Sequence, residues 1–132
     1  MKNIFILLLI PFLSFSQELF NSQSIYDENG GLFDWIELRD VNINFYDADY
    51  DAFLTQSWLE NTKLTLPASL DIDGLYFDSV AVRYKGNSTF SIPYQWGNPK
   101  KPYNIDFNDY DSNQDLMGYN KLKLANTLFD PT

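Results

Sequence analysis

Arg83-Tyr84-Lys85-Gly86-Asn87-Ser88-Thr89 is the densest group of residues able to do chemistry in this chain. Arg83 and Lys85 stand two apart, so in an extended strand both side chains leave the same face. Gly86 lets the backbone approach a ligand closely, and Asn87, Ser88 and Thr89 offer hydrogen-bond donors. Two cations running into a turn of small polar residues suit an anion, and phosphate is the natural candidate. The competing reading is an ordinary strand-to-loop turn whose cations pair with nearby Asp. Asn87-Ser88-Thr89 also fits a glycosylation sequon.

Two further groups invite a chemical reading. Asp109, Asp111, Asn113 and Asp115 place oxygen ligands at alternate positions, as in the first half of a calcium loop. Gln114 stands where such a loop needs Gly, and Asn120 where it needs a bidentate Glu, so a flexible acidic turn is favoured over calcium. Asp47, Asp49 and Asp51 alternate in the same way, but capping of a following helix already accounts for them. Phe90, Tyr94 and Trp96 lie in a Pro- and Gly-containing stretch and have faces that could stack on a sugar, a peptide or an adenine ring. Packing over the sheet is the plainer role for them.

Composition narrows the chemistry. With no His, a Ser-His-Asp triad, a His-ligated zinc and a His general base are excluded within this chain. With no Cys there is no disulfide framework, and stability rests on burial. A formal net charge of −9, from 18 acidic and 9 basic residues, argues against nucleic acid as a partner, because tracking phosphates needs clustered Lys and Arg. Aromatic residues at 17% exceed what disordered chains carry and point to a packed core.

Lys2, an apolar run from Ile4 to Phe15 broken by Pro11 and Ser14, and the small residues Ser14 and Ser16 ahead of Gln17 have the layout of a cleavable secretory signal. The run is shorter than the about 20 residues of a membrane-spanning helix. Residues 1–16 are therefore expected to be removed, leaving no stable membrane anchor and a secreted, periplasmic or cell-surface protein. Residues 17–40 read as a lead segment and residues 41–132 as one modest domain.

The elements that must carry the candidate site follow from periodicity. Val41 to Tyr46 alternates as a half-buried strand. Tyr50, Phe53, Leu54 and Trp58 then fall on one face of a helix over 47–61, with Asp47 or Asp49 placed to cap it. Leu64 to Ile72 and Leu75 to Tyr84 read as strands joined by the hairpin signal Asp73-Gly74. Pro67 places the first of these at an edge or a bulge. Lys85 to Pro102 reads as a long loop, a kind that is commonly functional. Tyr103 to Phe107 and Lys121 to Leu124 alternate again. The expectation is an α+β unit: a mainly antiparallel sheet of about five strands with one packed helix.

Val82-Arg83-Tyr84-Lys85-Gly86-Asn87-Ser88, Pro99-Lys100-Lys101-Pro102-Tyr103-Asn104-Ile105-Asp106-Phe107, Lys121-Leu122-Lys123-Leu124-Ala125-Asn126 and Asp130-Pro131-Thr132 occur in that order. In order and spacing they resemble the N-terminal half of the CotH family, the spore-coat-type atypical protein kinases. The resemblance is firm from about Val80 onward and fainter back through Val41 to Phe45. It implies the N-terminal lobe of a divergent protein-kinase-like fold that binds ATP with Mg and phosphorylates Ser of extracellular or coat proteins. It matches Arg83, Lys85 and Gly86-Asn87-Ser88 to the family's Arg-x-(Lys/Arg)-Gly-Asn-Ser motif, and Lys100 or Lys101 to its next basic position. All of these are expected near nucleotide phosphates, where cations offset charge.

The family's metal-holding and catalytic carboxylates lie beyond Asp130-Pro131-Thr132. No catalytic residue is therefore expected here, and the chain alone is expected to be inactive. Asp130-Pro131 reads as an N-cap followed by the first residue of a helix, so truncation is expected. The alternative is a non-catalytic secreted module for surface binding, adhesion or structure. A complete small β-rich coat protein is a third reading.

Overall fold

Alternating apolar and polar residues close into one antiparallel sheet in the computed structural model, which describes Leu32, Phe33, Ile36 and residues 38–127. The strands are β1 (Val41–Phe45), β2 (Leu66–Ile72), β3 (Leu75–Tyr84), β4 (Tyr103–Asp106) and β5 (Lys121–Leu124), and they lie side by side in chain order. Helix α1 (Tyr50–Glu60) joins β1 to β2, and helix α2 (Ser88–Gln95) joins β3 to β4. The fold is α+β, as expected. The segment 1–16 expected to be a secretory signal, most of the lead segment and Asp130-Pro131-Thr132 lie outside the described residues. Among the described residues, no helix is long and apolar enough to cross a membrane.

The period of two gives the sheet one apolar face. Register sets Val41 opposite Ile72, Ile43 opposite Leu70, Phe45 opposite Ala68, Val82 opposite Ile105 and Tyr84 opposite Tyr103. Ala68, Leu70, Val80, Val82 and Ile105 are buried on that face, and Phe77, Phe107 and Leu116 close over it. The β2–β3 hairpin turns as its Asp-Gly pair requires. Asp73 and Gly74 both have positive φ, 51° and 87°, the combination of a type I′ turn, and the Gly74 N–H donates to Asp71 Oδ1 at 3.0 Å.

Of the two settings expected for Pro67, an edge or a bulge, the structure shows the bulge: β2 is not an edge strand, because it lies between β1 and β3. The position tolerates Pro because β1 ends at Phe45, opposite Ala68, so its missing N–H breaks no ladder bond. A bulge does lie beside it: Ala68 pairs with Val80 and Leu70 with Phe77, so Asp78 and Ser79 together oppose Ser69.

The expectation of one long loop over 85–102 is corrected: α2 occupies its centre despite Pro93 within the helix. Pro93 cannot donate to the Thr89 carbonyl four residues back. That carbonyl instead accepts the buried Asn126 side-chain amide at 2.7 Å. The same amide reaches the Lys100 carbonyl at 3.2 Å. A donor 37 residues away thus replaces the one Pro removes, and there are two packed helices where one was expected.

Candidate functional site

Helix α1 sets one wall of the site. Leu54 is buried and Trp58 half-buried against Tyr84 and Phe90, so the helix lies over the end of β3. Asn61 ends the helix in the left-handed conformation, its N–H donating to the carbonyls of Ser57 and Trp58. The buried Ser57 hydroxyl then accepts the Leu64 N–H at 2.8 Å and the Thr62 hydroxyl at 2.9 Å. These bonds fold the chain back after α1 and bring Lys63 toward the end of β3.

The opposite wall is the Arg83-to-Asn87 segment. The Lys85 N–H donates to the Pro102 carbonyl at 3.1 Å, which carries the β3 backbone one residue past the sheet. Gly86 has φ 82°, and a Cβ there would lie 2.0 Å from Thr89 Oγ1, so any other residue would strain the backbone and displace the Thr89 side chain. The Trp58 indole N–H donates to the Gly86 carbonyl at 2.7 Å, locking the turn to α1. The Asn87 carbonyl accepts from Phe90 and Ser91 N–H at 3.1 and 2.8 Å and so begins α2.

Between these walls lies a cleft of about 400 Å³ lined by Trp58, Lys63, Arg83, Lys85, Gly86 and Asn87, among others. Three cations line it and no carboxylate does. The ion pairs among the described residues are Arg39–Asp73, Lys101–Asp51 and Lys121–Asp106, and none of them uses Lys63, Arg83 or Lys85. Cations without a carboxylate partner around a concavity, beside a backbone turn, are the arrangement that an anion site requires.

The expected site residues separate in space. Arg83, Lys85, Gly86 and Asn87 line the cleft together. Ser88 opens α2 and is not among the lining residues. Lys100 points elsewhere, its ammonium donating to Thr127 Oγ1 at 3.1 Å. Lys101 is engaged by α1: its ammonium meets Asp51 Oδ1 at 2.8 Å and Thr55 Oγ1 at 3.5 Å. It also lies 5.2 Å from the Tyr84 ring centre and 5.7 Å from that of Phe90.

Tyr84 O–H donates to the same Asp51 oxygen at 2.5 Å. Burial tends to raise the Asp51 carboxyl, but hydrogen bonds from Lys101 and Tyr84 outweigh it and hold the group below its ordinary value. Burial first, then the bond to Asp51, push the Tyr84 phenol well up, so it stays a donor.

Lys63 and Trp58 join the cleft without having been singled out in the sequence as site residues. Trp58 was read only as part of the apolar face of a helix. The signal for Lys63 is weak: an Asn at the helix end, which favours the left-handed turn that folds the next residues back.

The acidic segment behaves as turn chemistry predicts. Asp111 accepts the Asn113 N–H at 3.0 Å and Asp115 the Gly118 N–H at 2.5 Å. Among the described residues, no group of three or more His, Cys, Asp or Glu is placed to hold a metal ion. Of the three aromatics, Phe90 is fully buried, whereas Tyr94 and Trp96 are 43% and 72% exposed. Comparison with profiles of protein families, with curated proteins and with solved structures finds no match for this chain.

Proposed function

We propose that this chain is the nucleotide-phosphate-binding, N-terminal lobe of an exported CotH-like atypical protein kinase. ATP with Mg would be its ligand, and Ser of extracellular or coat proteins the acceptor of the whole enzyme. The observation that carries the reading is the cleft: Lys63, Arg83 and Lys85 gather without a carboxylate in a chain of net charge −9. In so acidic a protein, three unpaired cations sharing one concavity need a ligand-based reason, and an anion supplies it. Phosphoryl transfer itself needs carboxylates for metal and acceptor, and the resemblance matches none of these to a residue of this chain.

The test is calorimetric titration of the chain with ATP, with and without Mg, over a range of salt. ATP is expected to bind with affinity that falls as salt rises. The double variant Arg83→Ala/Lys85→Ala is expected to lose at least about tenfold, since each charge-assisted contact contributes ~1.5–3 kcal/mol. Affinity unchanged in the double variant removes the cleft as a phosphate site. A second reading, a non-catalytic surface-binding module, draws on exposed Tyr94 and Trp96. It predicts ligand binding that the same double variant leaves intact.

A further inference from the structure

Trp58 differs from the other walls of the cleft because it is an aromatic surface held from two sides. Its indole N–H is bonded to the Gly86 carbonyl at 2.7 Å. One face stacks on Phe90, with ring centres 4.2 Å apart and 27° between the planes. Phe90 is fully buried and stacks in turn on Tyr94, so the support beneath the indole is a packed aromatic column. The indole is only half-buried, and it lines the cleft. With one edge bonded and one face covered, the other face and the far ring edge are what the indole has left to offer the cleft.

A ring fixed in this way needs no ordering when a ligand stacks on it, so little conformational entropy is lost on contact. The bond to Gly86 also sets the indole beside the residue that follows Lys85. One cleft therefore offers a flat apolar surface and three cations. The ligand complementary to both carries an aromatic ring and phosphates on the same molecule.

We propose that Trp58 is the base platform of the cleft: a nucleotide stacks its base on the indole while its phosphates meet Lys63, Arg83 and Lys85. The proposal rests on the phosphate-binding reading and adds to it selection of base-bearing phosphates over inorganic polyphosphate. It also assigns the stacking role to Trp58, in place of Phe90, Tyr94 and Trp96, which the sequence offers for stacking beside the plainer role of packing.

The experiment compares ATP with inorganic tripolyphosphate on the chain by calorimetry. ATP is expected to bind more tightly than tripolyphosphate, and Trp58→Leu, which also releases the Gly86 turn, is expected to weaken ATP about tenfold more than it weakens tripolyphosphate. Because Leu leaves Phe90 partly uncovered, circular dichroism must accompany the titration. A second measurement avoids changing residue 58. In a Trp35→Phe/Trp96→Phe variant Trp58 is the one remaining tryptophan of the three, and ATP is expected to quench its fluorescence whereas tripolyphosphate is not. Equal binding of the two ligands with Trp58 fluorescence unmoved overturns the base platform and leaves the phosphate site standing. Failure of both to bind overturns the phosphate reading as well.

Discussion

The two ends of α1 hold lysines in opposite circumstances. At the N-terminal end, the Lys101 side chain is 9% exposed and its ammonium is met by Asp51, Thr55 and the rings of Tyr84 and Phe90. At the C-terminal end, Lys63, Arg83 and Lys85 line a cleft with no carboxylate among its walls. A cation taken out of water must be paired, so Lys101 became part of what holds the helix down. A cation at the mouth of a cleft stays solvated, and its charge remains available to a ligand. The difference separates Lys101, which serves the fold, from Arg83 and Lys85, which face a cleft without a carboxylate, among basic side chains that the sequence grouped together.

The largest effect is expected from the residue both ends share. Phe90 is fully buried under Trp58 and Tyr84, and Phe90→Ala should cost ~3–5 kcal/mol in urea unfolding. A loss of stability under 1 kcal/mol would mean the two ends are packed independently.

Next comes Asp51→Asn, which leaves the Lys101 ammonium without its anion. Because the Asp51 side chain is itself 58% exposed, the loss should be reduced to ~1–2 kcal/mol. The pH dependence sharpens the assignment. The folded Asp51 carboxyl lies below its unfolded value of 3.8. Its contribution is therefore fully present above about pH 4 and is lost as pH falls through the lowered folded value. Asp51→Asn should flatten the acid limb of the stability curve. Part of that limb should survive, because Asp73 is also held low, first by the Asp40 N–H and then by Arg39.

The smallest effect on stability is expected at the other end. Lys85→Ala touches no ion pair and should change unfolding by less than about 0.5 kcal/mol. A thermal melt shifted by many degrees would show that Lys85, like Lys101, serves the fold.

Much of the fold was legible because its signals are local. Alternation marked β1, β4 and β5, extended runs joined by Asp73-Gly74 marked the β2–β3 hairpin, and the 50/53/54/58 spacing marked α1. The capping reading of the Asp47–Asp51 run held in part. Asp47 Oδ1 accepts the Asp49 N–H at 2.8 Å, a local turn bond, while Asp49 at the cap makes no side-chain bond to the helix. Helix α2 was not legible, because Pro93 and the flanking glycines argue locally against a helix. What offsets them is burial of Phe90 and the amide of Asn126, both supplied from outside the segment.

The sequence by itself determined the strands, their apolar face and the placing of Arg83 and Lys85 together at the end of one of them. Those features depend on spacing along the chain, which a residue's neighbours set. Only the tertiary structure decided which cations stand free. Lys101 and Asp51 are 50 residues apart and become a pair because α1 lies across the sheet. Lys63 and Trp58 join Arg83 and Lys85 because the same helix ends beside the Gly86 turn. Desolvation and pairing depend on what packs against a charge, and that is fixed by the approach of distant segments, which no local pattern encodes.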